Sequence, residues 1–342
     1  MAAPNIPPYH DDDDDNEDLL IQPEPVDLEV ALEALRTSQN AVGALSKTIY
    51  YGLSGLDEAQ LDKVITLWRT LVADYRYRVI AELIEANETN VELDYRAIGH
   101  MALRDDEEQV RSGAIELLWE DNSLYLMTTL MQIAINDASA LVRASAVSNL
   151  GRFILGGELE TLPLDETNKA QDLAVSIFYD ENEDINVRRR ALESLANSSN
   201  DTVTSAIWEA YNSGIRQFQV SSIFAMGKSY DEQWNDIVME HLKGDDDEMR
   251  YEAARSAGEL EIHAAVPALT ELANGEDREI QEVAIYSLGE IGGNEVLRIL
   301  NALLREVEED GDEGLMEALE DAIASASIHS GALYLFDTDD DD

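Results

Sequence analysis

One phrase recurs along this chain and restricts its fold more than any other feature. Residues 245–260 read DDDEMRYEAARSAGEL: acids, then a helical spacing that puts Met249, Ala253, Ala254 and Ala257 on one face, then Gly258 at the helix end. The template is an apolar residue, Arg, a small or apolar residue three further on, Leu four after that, and often Gly. It fits Arg76, Val79 and Leu83; Arg111, Ala114 and Leu118; Arg143, Ala146, Leu150 and Gly151; Arg188, Ala191 and Leu195. It continues with Gln219, Ser222, Met226 and Gly227; Arg250, Ala253, Ala257 and Gly258; Gln281, Ala284, Leu288 and Gly289; and a degenerate copy at Met316, Leu319 and Ile323. Successive copies are offset by 35, 32, 45, 31, 31, 31 and 35 residues. A near-constant period of that size means stacked supersecondary units, none of which buries its apolar face alone.

Each copy has a second amphipathic stretch upstream, at 90–103, 124–136, 168–179, 202–211, 232–242, 264–273 and 295–307, several preceded by a polar cap: Thr89, Ser123, Thr167, Asp201 and Asp231. One unit is therefore helix A, an acidic turn, helix B and a short link. The repeat array spans 57–326, about eight helix pairs. A helical cap over 26–56 precedes it, and Asp57 with Gln60 has capping-box spacing. Residues 1–25 are Pro- and Asp-rich and expected to be disordered. Residues 327–342 hold an apolar segment, Leu333 to Phe336, expected to cover the last repeat, and then an acidic tail. The long offset between Arg143 and Arg188 places an insertion at 155–166, LGGELETLPLDE, whose glycines and proline indicate a loop. Such a loop is either a binding element or a tolerated spacer.

The acid, Arg and small-residue pattern of Glu248, Arg250, Ala253, Ala254, Ala257 and Gly258 resembles HEAT repeats, especially the short HEAT-like kind first named for phycobilisome lyases. The resemblance covers about 57–325. It implies an all-α fold, a right-handed α-solenoid of stacked helix pairs whose B helices line the concave face. It also implies a structural ladder between repeats, carried by Asp105, Asp137 and Asp245 with Arg111, Arg143, Arg188 and Arg250. Gln219, Gln281 and Met316 depart from that pattern, so the ladder is expected to be incomplete in the C-terminal half.

Composition limits the partners. The formal net charge is −49, and removing the twelve acids of the two terminal runs still leaves about −37. A surface of that sign opposes direct nucleic-acid binding, which needs Lys and Arg to displace counterions, and opposes anionic membranes. A low lysine content with abundant Asp and Glu also fits adaptation of a whole proteome to salt. No Cys is present, which excludes disulfides and thiolate metal sites. MAAPNIPPYHDDDDD is not a secretory signal, so the expectation is a cytoplasmic protein.

His10, His100, His241, His263 and His329 form no HExxH motif, none is followed by Glu, and no Gly-rich phosphate loop occurs. The His-Glu pairs of HEAT-like metal hydroxylases are thus missing, and no cofactor or metal is expected. Counting the apolar residue before the Arg as position 0, apolar residues recur at 0, 4, 5 and 8, so position 6 points away from the core. Positions 2 and 6 place Arg189, Phe224, Tyr251, Arg255 and Tyr286 on the outer face of the B helices. Aromatics with Arg are typical of protein interfaces, although such rings can also pack sideways on neighbouring helices. The expected function is a non-enzymatic scaffold or adaptor that binds protein through this face and the acidic edge. The alternatives are a carrier for a basic client and an enzyme like the phycobilisome lyases.

Overall fold

The structure, a computed structural model, describes residues 26–41 and 43–329, with the side chains of Asp201, Asp310 and His329 left out. The expected disordered tail and the apolar segment at 333–336 lie outside the described residues. No strand occurs among those described, and the chain divides into two compact units, one ending at Arg104 and the other beginning at Asp105.

The first unit holds α1 (Leu28–Thr37), α2 (Lys47–Gly52), α3 (Glu58–Trp68), α4 (Ala73–Thr89) and α5 (Arg96–Ala102). Asp57 and Gln60 close a capping box on α3. A Cβ on Gly52 would lie 2.2 Å from that of Ala31, so the Gly52 backbone of α2 packs directly on the Ala31 methyl of α1. Glu82 on α4 accepts from the Leu45 N–H and, at 2.8 Å, from the Tyr50 hydroxyl, tying α4 to the approach to α2. The helix expected at 90–103 begins only at Arg96. Thr89 closes α4 instead of capping the next helix, and the Asn90 side chain accepts from the Glu92 N–H to form a turn.

The second unit opens with α6 (Glu108–Leu117), followed by helix pairs α7 (Leu124–Asn136) with α8 (Ala140–Glu158), α9 (Leu164–Tyr179) with α10 (Ile185–Leu195), and α11 (Asp201–Asn212) with α12 (Arg216–Lys228). It continues through α13 (Asn235–His241) with α14 (Asp247–Glu259), α15 (Val266–Ala273) with α16 (Arg278–Ile291), and α17 (Gly293–Asp310) with α18 (Glu313–His329). Short 3-10 turns lead into α13 and α15. Even-numbered helices pack each on the next, and odd-numbered ones pack on their own partner. The core lies between the layers. Val142, Ala146, Val147 and Leu150 of α8 and Val187, Ala191, Leu192 and Leu195 of α10 are fully buried, matching positions 0, 4, 5 and 8.

The glycine at position 9 does not end helix B. It sits inside the helix, where the next B helix passes. A Cβ on Gly227 would meet the Ser256 Cα at 2.8 Å, on Gly258 the Ser287 Cα at 2.7 Å, and on Gly289 the Ala322 Cα at 2.9 Å. Gly151 has the same relation to Ser194. Small residues at position 7 face glycine at position 9, so neighbouring B helices approach backbone to backbone.

The insertion is also not a loop. Residues 155–158 extend α8 to 19 residues, 164–166 open α9, and only 159–163 are non-helical. Gly156 and Gly157 are buried in the last turn of α8 because the link residues Thr161 and Leu162 press against the first and Thr167 of α9 against the second. The Thr161 and Leu162 N–H groups donate to the Gly156 carbonyl at 2.9 Å, and a Cβ on Gly157 would lie 2.1 Å from the Thr167 hydroxyl. Thr167 is therefore a buried contact within α9 rather than its cap, and α11 is capped by Asn200, one residue before the expected Asp201.

Candidate interaction face

Along the A-to-B turns, carboxylates do two jobs. They accept backbone N–H groups at the start of the helix that follows, or in the turn before it, and accept an Arg from the repeat before. Asp137 takes Arg111 through two 2.8 Å hydrogen bonds while also accepting from the Ser139 N–H. Burial pushes the Asp137 carboxyl up, but Arg111 and the Ser139 N–H hold it below its ordinary value. Arg143 reaches Glu183 in the same bidentate manner, at 3.0 and 2.7 Å. Each of these arginines also donates to a carbonyl of its own turn, Asp105 for Arg111 and Asp137 for Arg143.

The remaining ladder residues depart from this geometry. Asp105 contributes its carbonyl to Arg111 and its carboxylate to the Glu107 N–H. Arg188 donates to the Phe178 carbonyl and lies over the Phe218 ring, 5.0 Å from its centroid. Arg250 turns back to Asp247 of its own helix and to the Gly244 carbonyl, and the cap of α14 is Asp246, not Asp245. The expected gaps at Gln219 and Gln281 are filled from elsewhere. Arg216, three residues before Gln219, binds Asp246 and Glu248, and Arg278, three before Gln281, binds Asp312. Both glutamines donate to the carbonyl eight residues back, Tyr211 and Ala273. The sequence carried a signal for this exchange, the spacing Arg-x-x-Gln at both places.

On the B face, close helix spacing encloses side chains that a lone helix would expose. Glu193, at position 6, is buried, accepting from Ser221 at 2.6 Å and pairing with Arg190 at 2.5 Å. Arg189 donates to Ser221 at 3.0 Å. Phe224 is half-buried beneath Arg255, whose guanidinium lies 4.7 Å from the ring centroid and pairs with Glu259. Lys228 also reaches Glu259, at 2.7 Å. Among these groups Glu252 stands apart. Its Oε2 is buried with no hydrogen-bond partner among the described residues. Burial pushes its carboxyl up to about 7, with Arg255 and Arg189 opposing the shift and Glu193 and Glu259 reinforcing it. Position 6 thus points into a network at 193, 224 and 255, and reaches solvent again at Tyr286, which is 53% exposed.

Polar side chains cross every seam between successive B helices but one. Arg111 with Asp137 and Ser112 with Ser145 join α6 to α8, and Arg143 with Glu183 ties α8 to the start of α10. Ser221 bonds to α10, Arg216 and Lys228 link α12 to α14, and Arg278 with Glu290–Ser325 links α16 to α18. Between α14 and α16, among the described residues, none crosses. That seam carries a cleft of about 310 Å³ lined by Tyr251, Arg255, Glu279, Glu282, Val283 and Tyr286. Three of the five face residues expected from the sequence, Tyr251, Arg255 and Tyr286, meet there. Phe224 supports Arg255 from behind, and Arg189 belongs to the Glu193 network.

Among the described residues, no group of three or more His, Asp or Glu is placed to hold a metal, and no helix is long and apolar enough to cross a membrane. Helix pairs stacked through a layer of B helices, joined at four of the six seams by Arg–carboxylate pairs, define an α-solenoid. Residues 235–320 match the sequence profile of HEAT repeats. Over that segment the chain is built of HEAT repeats. No curated protein matches it. Among solved structures it is similar to the complex of CpcE and CpcF of phycocyanin lyase from Nostoc, at 16% identity over 68% of this chain and 94% of that one, TM-score 0.47. Human deoxyhypusine hydroxylase is similar at 13% identity over 88% and 96%, TM-score 0.34, and importin beta at 12% over 89% and 44%, TM-score 0.42. These likenesses carry no inference about function.

Proposed function

We propose that this protein is a non-enzymatic scaffold that binds a protein partner through the face of its B helices, centred on α14 and α16. The observation that carries the reading is the cleft between those helices, where two tyrosines and the exposed carboxylate of Glu279 meet without contacts that would use them internally. Amphipathic rings at a partly enclosed position are the usual anchors of protein interfaces. The acidic edge fits the role less well than its charge suggested. Asp137, Glu183, Asp246 and Asp312 are engaged by arginines of the chain itself. Those bonds account for acids that helix capping alone left unexplained, and they weaken the reading of a carrier that uses the turns to hold a basic client.

A photo-crosslinking phenylalanine introduced at position 286, and separately at 135, tests the reading in the native cell. Ile135 is an exposed residue of helix α7 on the A side. A discrete adduct at 286 with none at 135 is the expected result. Adducts of equal yield and identity at both sites would mean that the B face has no special role.

A further inference from the structure

The seam between α14 and α16 has the parts of an interhelical link but lacks its cation. At four of the other five seams an arginine of one repeat fills the acidic turn of the next, as Arg111, Arg143, Arg216 and Arg278 do, and at the remaining one, between α10 and α12, Arg189 reaches Ser221. At this seam the corresponding residue, Arg250, is turned back onto Asp247. The acids that open α16 therefore receive nothing from α14. Within the cleft, Glu282 is held by Arg278 and Arg255 by Glu259. Glu279 is exposed and has no ion pair or hydrogen bond among the described residues, and neither do the Tyr251 and Tyr286 hydroxyls.

We propose that this cleft takes an arginine side chain of a partner protein, with the guanidinium against Tyr251 and Tyr286 and its charge on Glu279. The inference rests on the scaffold reading above and adds the chemistry of its partner. A guanidinium stacks on tyrosine rings and forms a forked pair with a carboxylate, so it satisfies both kinds of wall at once. The occupant supplies from outside the cation that other seams draw from the chain. The surrounding field, with a net charge of −49 on the chain, favours a basic group and disfavours an acidic or neutral one. Lysine matches the charge but not the planar stacking, and so ranks second.

The test uses the full chain with 13C-labelled tyrosine, in about 0.3 M salt to suppress diffuse attraction. The probes are Nα-acetyl-arginine N-methylamide, its lysine counterpart, and the citrulline amide, which keeps the shape without the charge. The expected result is a saturable shift of the Tyr251 and Tyr286 ring signals and not of exposed Tyr125. Citrulline should bind at least ten-fold more weakly, and Glu279→Gln, a surface change, should weaken arginine about five-fold. Equal response to citrulline, equal shifts at Tyr125, an unchanged affinity in Glu279→Gln, or no response at all would each overturn the proposal. If the probes fail while crosslinking at 286 still captures a discrete partner, only the arginine site is wrong. If both fail, the scaffold reading falls with it.

Discussion

Replacing Gly258 by Ala tests whether backbone contact sets the spacing of the B helices. The added Cβ would lie 2.7 Å from the Ser287 Cα and 2.8 Å from its Cβ and Oγ. Comfortable carbon contact begins near 3.5 Å, so α14 and α16 must part by about 0.8 Å, which forfeits a quarter to a half of the dispersion well for atoms along the seam. Overpacking of this kind costs about 1–3 kcal/mol. Ala raises helix propensity by about 1 kcal/mol, in the opposite direction. The net expectation is a loss of up to about 2 kcal/mol, or up to roughly 8 °C in Tm for a unit of this size. Far-UV circular dichroism during thermal and urea unfolding measures it. Gly244→Ala is the control, because its Cβ would find nothing nearer than the His241 carbonyl at 3.4 Å. Ser287→Gly in the Gly258→Ala background removes the Cβ and Oγ clashes but not the Cα one, so rescue should be partial. A Gly258→Ala protein more stable than the wild type by the full helix-propensity gain of about 1 kcal/mol would refute backbone spacing as the limiting contact.

Three further outcomes are expected. Glu252 has an unfolded value of 4.5 and is pushed up to about 7 in the fold, so its proton is held more tightly when folded. The stability linked to it is therefore complete below about pH 4.5 and is lost as pH rises through about 7, by about 3 kcal/mol in all. Glu252→Gln should flatten that part of the urea-stability profile and stabilise the protein at pH 8 by about 2 kcal/mol, after allowing for one unsatisfied amide; an unchanged slope would show that another group is responsible. Asp137→Asn breaks a bidentate pair whose side chains are 15% and 10% exposed, and should cost about 2 kcal/mol. Asp312→Asn, whose pair is 40% and 45% exposed and whose capping role Asn preserves, should cost less than about 1 kcal/mol by the same denaturation assay.

The helix pairs were legible because the apolar period is a local property, and Val142, Ala146, Val147 and Leu150 occupy core positions that any seam would need. The ladder was legible at Arg111 only in part. The sequence showed an Arg after an acidic turn, but the acid that Arg111 binds through its side chain belongs to the next repeat. Arg143 finds a Glu where an Asp was expected. Arg216 and Arg278 stand three residues before the template position, which holds Gln in both copies, so the template does not report them. Glycine misled twice. At 156–157 it read as part of a loop and at position 9 as a mark of the helix end, yet in both places a neighbouring backbone or side chain occupies the space a Cβ would take. Helical spacing on one strand of sequence does not report how near the next helix comes. The same blindness made position 6 look uniformly exposed, when at Glu193 it is covered and at Phe224 half-covered.

The meeting of glycine and small residues along successive seams separates the frame of the protein from its decoration. With helix spacing fixed by main chain at Gly227, Gly258 and Gly289, the exposed side chains of the face, such as Tyr286, can be exchanged without altering the pitch of the stack. Mutation can then rewrite what the face recognises, one repeat at a time, at little cost to the geometry that presents it.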